Sequence, residues 1–332
     1  VAGAVRRPDN GEVGVSVMTS PDRRARARRT RRAQEELHGR LLVAPTLLVV
    51  GLVVLAPFVA SFVLAFQDLR LIEIRSLGLG DLGVSLDNFA DVLSSAGFWK
   101  AARTTLVYAT ASTVGSVLVG LVLALALRRP FRGRGLVRGL LLIPYVLPVV
   151  AATTIWTTLL NPQYGAVNEV GRRFLGWEAP INFLSTYDID LWGLPVPVAL
   201  SVVIAFEVWR SFPLAFLFIT ARLQVVPRDV EEAAVVDGAS PLQGFRHVLL
   251  PQLTGVIALL ALLRFIWSFQ NFTDVYLLTD GAGGTQVVAV RVYEELVTRA
   301  DIGAASALGV LMTLALAVPL ALYVWASRKE RA

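Results

Sequence analysis

Residues 227–253 read PRDVEEAAVVDGASPLQGFRHVLLPQL, the longest polar interruption between two strongly apolar runs in the second half of the chain. The stretch carries the punctuation of two short helices with a sharp joint. Asp229 followed three residues later by Glu232 is a capping-box pattern, which predicts a helix beginning at Asp229. Gly238 after Asp237 is a stop signal, because glycine accepts the left-handed conformation that a tight exit requires. Ser240, with Pro241 next and Gln243 three on, predicts a second cap and a second helix. Pro251 marks the following boundary, where an apolar run resumes. A polar loop folded into a helical elbow suits docking better than tethering.

The flanking apolar runs decide the class. The chain has 332 residues, 55% hydrophobic and 17% charged, with mean hydropathy +0.63, far too apolar for a soluble domain of this length. This is the composition of an integral membrane protein. Six runs are long enough to span, given that about 20 apolar residues cross the hydrocarbon: 41–66, 101–127, 136–160, 196–221, 252–278 and 303–326. An all-α polytopic fold is expected, with the membrane domain over 41–326. Pro45, Pro57, Pro144, Pro148, Pro213 and Pro319 lie in or at the edges of these runs. Such breaks are tolerated where neighbouring helices satisfy the freed carbonyls, so the expectation is a kinked bundle around a pathway.

Basic residues set the orientation. With the N-terminus in the cytoplasm, the inside segments carry 21 Arg and Lys and the outside loops carry 8, which agrees with positive-inside and places both termini and the elbow in the cytoplasm. Residues 1–40 read as a disordered basic tail and 327–332 as a short cytoplasmic end. The run from Arg23 to Arg32 lacks interleaved aromatics and precedes a span, so it reads as a lipid-facing, topology-setting segment and not as a nucleic-acid patch. Met18 looks like a natural start, with 1–17 an upstream extension. A cleaved signal peptide is not expected, since the first apolar run is too long and lacks a small-residue cleavage site. The outside loops, about 67–100 and 161–195, carry Phe89, Phe98, Trp99, Trp177, Phe183, Tyr187 and Trp192, as interfacial anchors or as a platform for an extracytoplasmic partner.

No catalytic or metal site is expected. The chain has no cysteine and two histidines, His38 and His247, too few for a histidine cluster. No Walker loop is present, so ATP is not bound by that device. The polar residues that need an explanation lie inside the spans. A charge there costs about 2.5–3.5 kcal/mol or more and requires a partner or water. Glu207 and Arg210 share a helix face, as an internal ion pair or as part of a pathway. Ser268, Gln270, Asn271, Thr273 and Asp274 cluster among Trp267, Phe269, Phe272 and Tyr276. Amides beside rings suit a sugar, whose hydroxyls need hydrogen bonds while its C–H faces stack. Five polar side chains in seven residues exceed what interhelical glue needs. Tyr145, between Pro144 and Pro148, faces the same cavity or packs in the core.

Residues 232–251 resemble the EAA signature of bacterial ABC importer permeases, with Glu232, Ala233 and Ala234, then Gly238, then Val248, Leu249, Leu250 and Pro251 after nine residues. GRGLVRGLLLIPYVLPVVAATTIW with NPQYGAVN, EVWRSFP, and QNFTDVYLLTDGAGGT are similar to the carbohydrate branch, the maltose and glycerol-3-phosphate type. TDGAGGT departs from that branch, which usually has Gly-Gly-Pro after the threonine. The resemblance implies a permease subunit of an ATP-driven sugar importer in the bacterial inner membrane. It implies as partners a second homologous permease, a cytoplasmic ATPase dimer carrying ATP and Mg, and an extracytoplasmic sugar-binding protein. It implies that Glu232, Ala233, Ala234, Asp237, Gly238, Leu250 and Pro251 form the ATPase-coupling elbow. Substrate contacts are implied at Tyr145, Glu207, Ser268, Gln270 and Asn271, to which the residue cluster adds Asp274. A permease for polyols, phosphodiesters or amino acids stays open, as does a membrane scaffold. A secondary transporter is disfavoured, since no inverted repeat is visible.

Overall fold

The computed structural model of the chain describes residues 42–71, 83–191 and 194–329. The basic tail, Arg75, Trp192 and the last three residues lie outside them. The chain divides near Ala60 into two units. Helix α1 (Leu42–Leu64) is apolar throughout and passes through a π-turn at Gly51–Leu55.

From Ser61 onward the fold is helical, with one small hairpin. Helix α2 (Asp87–Ser94) leads directly into the 31-residue α3 (Ala96–Ala126). Three short helices follow, α4 (Arg134–Leu141), α5 (Ile143–Val146) and α6 (Val149–Leu159), then α7 (Ala166–Phe174). Strands β1 (Asp188–Leu191) and β2 (Leu194–Pro197) pair antiparallel and open into α8 (Val198–Val225). Helix α9 (Arg228–Val236) precedes α10 (Pro241–Phe269). The chain finishes with α11 (Thr273–Thr279), α12 (Val288–Tyr293) and α13 (Ile302–Lys329).

Among the described residues five helices are long and apolar enough to cross a membrane, or six if one bent pair counts as a span. The bend corrects the third expected span. Residues 136–160 do not form one helix: Leu147 and Pro148 are extended, and the segments on either side meet at 96°. Pro148 disfavours helical backbone at the residue before it and has no N–H to continue the ladder. The fifth expected span is also revised at both ends. Pro251 does not separate two helices, because α10 runs on from Pro241. A π-turn over Phe245–Leu249, with the Leu250 N–H donating to the Phe245 carbonyl, widens the ladder just before the proline. At the far end α10 stops at Phe269, and α11 starts afresh at Thr273.

Packing centres on α3 and α8. A Cβ built on Gly115 would stand 2.6 Å from Val208, and one on Gly120 would stand 2.6 Å from the Ala215 Cβ and 2.8 Å from the Phe216 nitrogen. Small residues let two backbones approach where no hydrophobic force drives helices together. One buried cluster joins Val117 and Ala124 to Phe216, Ile219, Leu223, Leu253 and Leu260. A second joins Tyr108 to Val203, Phe206, Val275 and Val290. At the hairpin end, the Thr105 hydroxyl accepts from the Val288 N–H at 2.9 Å and ties α3 to α12. Asn88 donates to the Ala65 and Gln67 carbonyls at 3.1 and 2.7 Å.

The loop around 161–195 holds more structure than its composition suggests. On α7, Arg173 and Arg172 hold the Glu169 carboxyl below its usual range through hydrogen bonds and charge. Asn168 is buried and accepts from the Ile181 N–H at 2.8 Å. Of the loop aromatics, Trp177 packs beside Phe183, and Tyr187 carries the Lys100 ammonium 4.9 Å above its ring.

Candidate functional site: an elbow and a charged cavity

The elbow forms where the sequence places it, with one difference. Helix α9 begins at Arg228 with Pro227 as its N-cap and no side-chain cap, so the Asp229–Glu232 box is absent. Asp229 already lies inside the first turn, where its carboxylate favours the positive helix end without reaching back as a cap. The exit is a Schellman turn. The Gly238 N–H reaches the Val235 carbonyl at 3.0 Å, the Ala239 N–H reaches Ala234 at 2.9 Å, and Gly238 sits at φ +79°. The second cap is complete: the Ser240 N–H donates to Gln243 Oε1 at 2.8 Å and the Gln243 N–H to Ser240 Oγ at 3.4 Å.

The elbow's outer surface is open. Glu232, Ala233, Asp237, Gly238 and Pro251 are exposed, Ala234 and Leu250 half-buried. Val235, Val236 and Leu242 are 71%, 85% and 74% exposed. Glu231, one residue from Glu232, turns inward instead and is gripped by Arg128 at the end of α3. Arg222 Nε donates to the Gln252 carbonyl at 3.1 Å and closes the base of the elbow.

The second feature is a cavity of about 570 Å³ lined by Tyr145, Val149, Glu207, Arg210, Ser211, Arg264, Trp267, Asn271, Thr273 and Asp274. That volume falls within the roughly 300–1,000 Å³ of small-molecule pockets. Glu207, Arg264 and Asp274 are buried, at 2%, 4% and 0% exposure. The charges pair across helices, not along one. Glu207 on α8 is bound by Arg264 on α10, and Arg210 lies 3.3 Å from Asp274 on α11, an ion pair without hydrogen-bond alignment. Of the two readings open for Glu207 and Arg210, the ion pair along one helix is not formed: each residue finds its partner on another helix. The last turns of α10 and the break after it supply the rest. Ser268, four residues after Arg264, accepts from it at 3.2 Å and donates to Glu207 at 3.4 Å. Ser211 donates to the same carboxylate at 3.1 Å. Asn271 Nδ2 reaches Asp274 at 2.9 Å and Glu207 at 3.4 Å, while its carbonyl accepts the Asp274 N–H at 3.1 Å.

The structure thus brings Tyr145, Glu207, Ser268, Asn271 and Asp274 to one place. Gln270 goes elsewhere, to an apolar groove of about 590 Å³ beside Ile266, Val292 and Met312, because adjacent positions at a helix end face different directions. Sequence reasoning missed Arg264 as a site residue. The signal was present: Arg264, Ser268 and Asn271 recur at helical spacing in an otherwise apolar run, matching Glu207, Arg210 and Ser211 on α8. Two carboxylates and two guanidiniums leave the cluster neutral. The partly exposed Arg210 and the Tyr145 hydroxyl face the cavity and remain available to a polar solute, while the buried Asp274 Oδ1 has no hydrogen-bond partner. Among the described residues no group of three or more acidic or histidine side chains converges on a metal position.

Comparison with known proteins agrees with this arrangement. Residues 116–332 match the model of a family described as binding-protein-dependent transport system inner membrane components. The chain is 33% identical over 273 residues to the inner membrane ABC transporter permease protein YcjO of Escherichia coli, covering 82% of this chain and 88% of that one. It is 30% identical over 275 residues to the trehalose/maltose transport system permease protein MalF of Thermococcus litoralis, with the same coverage of each. Its fold matches a chain of a bacterial ABC transporter involved in the import of alginate, with TM-score 0.75, 19% identity, and 90% and 99% of the two chains covered. A membrane-spanning bundle with a helical elbow, an internal charged cavity and this ancestry defines the chain as a permease subunit: it belongs to the family of binding-protein-dependent transport system inner membrane components.

Proposed function

We propose that the chain forms half of the translocation pathway of an ATP-driven sugar importer. A second, homologous permease supplies the other half, an extracytoplasmic sugar-binding protein delivers the solute, and a cytoplasmic ATPase dimer holds ATP and Mg. The membrane domain covers 41–326 with the elbow at 227–251. The observation that carries the reading is the Glu207–Arg264–Asn271–Asp274 cluster, buried beside Trp267 and Tyr145 in a cavity between spans. Three buried ionisable groups in that location are costly, and a hydrogen-bonding solute with apolar C–H faces is what amides and rings side by side can hold. The name of the trehalose/maltose relative supports the carbohydrate class. The elbow, with Glu232, Ala233 and Gly238 exposed, Ala234 half-buried, and Val235, Val236 and Leu242 uncovered, is the surface that the ATPase engages. Nucleotide-driven movement of the elbow then shifts the bundle between inward- and outward-facing populations.

The test uses the complex reconstituted with its binding protein, whose ligand is first found by thermal-shift screening of sugars. Asn271→Leu removes a donor to two buried carboxylates, a loss of about 1.5–3 kcal/mol for hydrogen bonds to charged groups. Uptake should fall on the order of 10- to 100-fold while assembly persists. Undiminished uptake would make the cluster a structural element of a scaffold.

A further inference from the structure

The elbow is attached to the bundle along the chain, through α8 and α10. Beyond the packing of Phe245 and Leu249 after the joint, α9 itself makes a contact that the sequence motif does not contain. Both terminal nitrogens of Arg128 grip both carboxylate oxygens of Glu231, across 103 residues of sequence. Glu231 and Glu232 are adjacent on α9 and so diverge by about 100° around its axis; one faces outward, the other faces α3. The pair is partly exposed, at 25% and 30% for Arg128 and Glu231, where an ion pair adds little to stability. Its two-point geometry does something else, because a bidentate carboxylate–guanidinium contact fixes orientation as well as distance. Arg138 Nη2 donates to the Leu127 carbonyl at 3.2 Å, so α4 is held to the same end of α3. From that end α3 runs along α8 in close contact at Gly120 and Gly115 and reaches Tyr108, which packs in one buried cluster with Phe206 beside Glu207.

We propose that Arg128 and Glu231 form a latch, positioning residues that make the elbow and the near end of α3 move as one body. Displacement of α9 then reaches the cavity through α3 as well as along α8. The inference rests on the elbow being the ATPase-docking surface. Without the latch α9 is tied to the bundle only indirectly, through its chain connections and through the packing of Phe245 and Leu249 beyond the joint, and part of its movement is lost before it reaches α3.

The absence of cysteine from this chain allows it to be spin-labelled at chosen positions before it is assembled with its ATPase subunits. One label pair, at Val230 on α9 and Val122 on α3, spans the latch. A second pair, at Val230 and Leu322 on α13, reports movement of the elbow against the rest of the bundle; all three positions are exposed, and none belongs to the docking surface. Distances are compared between nucleotide-free and ATP–Mg–vanadate-trapped complexes. The second distance should change with nucleotide and the first should not. In Glu231→Ala the first distance should broaden and become nucleotide-dependent, and the exchange Arg128→Glu with Glu231→Arg should restore a single narrow distribution. A first distance that shifts in the unsubstituted chain, or that is untouched by Glu231→Ala, overturns the latch while leaving docking intact. If neither distance responds to nucleotide, the docking reading itself is withdrawn, and the latch with it.

Discussion

At the residue scale, Glu207 shows how a charge is kept in an apolar span. It accepts from Arg264, Ser211, Ser268 and Asn271, so both oxygens are occupied and its charge is cancelled locally. Removing one member should cost more than removing the pair. Glu207→Gln leaves the Arg264 guanidinium buried without a counter-charge and should destabilise the chain by about 3–5 kcal/mol. The double substitution Glu207→Leu with Arg264→Met should recover most of that loss, yet fail in transport. Thermal unfolding of the purified complex, read beside solute uptake, separates the two effects. Glu207, Asn271 and Asp274 were legible in the sequence as polar residues in the wrong solvent. Their partners were not, because the ion pair joins positions 57 residues apart, and only the relative rotation of α8 and α10 decides that Glu207 meets Arg264 instead of its neighbour Arg210.

At the element scale, the interface of α3 with α8 depends on side chains that are missing. Gly120 sits against the Ala215 Cβ and the Phe216 nitrogen, and backbone cannot step aside as a flexible side chain can. Gly120→Val should separate the helices, with a cost of about 1–3 kcal/mol or more from overpacking. Gly255 on α10 has open space around its Cβ position, so Gly255→Ala serves as the control and should be neutral or stabilising by about 0.5–1 kcal/mol. A lowered melting temperature for both would argue against close approach as the cause. Local signals were read correctly at the joint and incorrectly on either side of it. The Gly238 exit and the Ser240 cap involve groups within five residues of each other and form as expected, whereas the Asp229 cap and the Pro251 boundary do not form. Pro148, expected within one kinked span, breaks it. The break after Phe269 carries no glycine or proline. It is held by the Asn271–Asp274 contacts and by the packing of α11, which a reading of local signals does not reach.

For the whole molecule, the distribution of Arg and Lys predicts that the elbow side lies in the cytoplasm. A cytoplasmic-activity reporter fused at residue 240 should be active, and one fused at residue 180 inactive; the reverse result would invert the topology and remove the elbow from reach of a cytoplasmic ATPase. The sequence alone determined that the chain enters a membrane, roughly where its spans lie, and that a capped, glycine-jointed elbow interrupts them. Those properties depend on transfer of apolar segments out of water and on hydrogen bonds closed within a turn or two. The tertiary structure decided which charges neutralise each other, that Gln270 leaves the cavity its neighbours line, and that Glu231 holds Arg128 while Glu232 stays outward. These outcomes depend on helix register and rotation, which are settled only when α3, α8 and α10 pack and each buried charge must find the one partner that packing brings within reach.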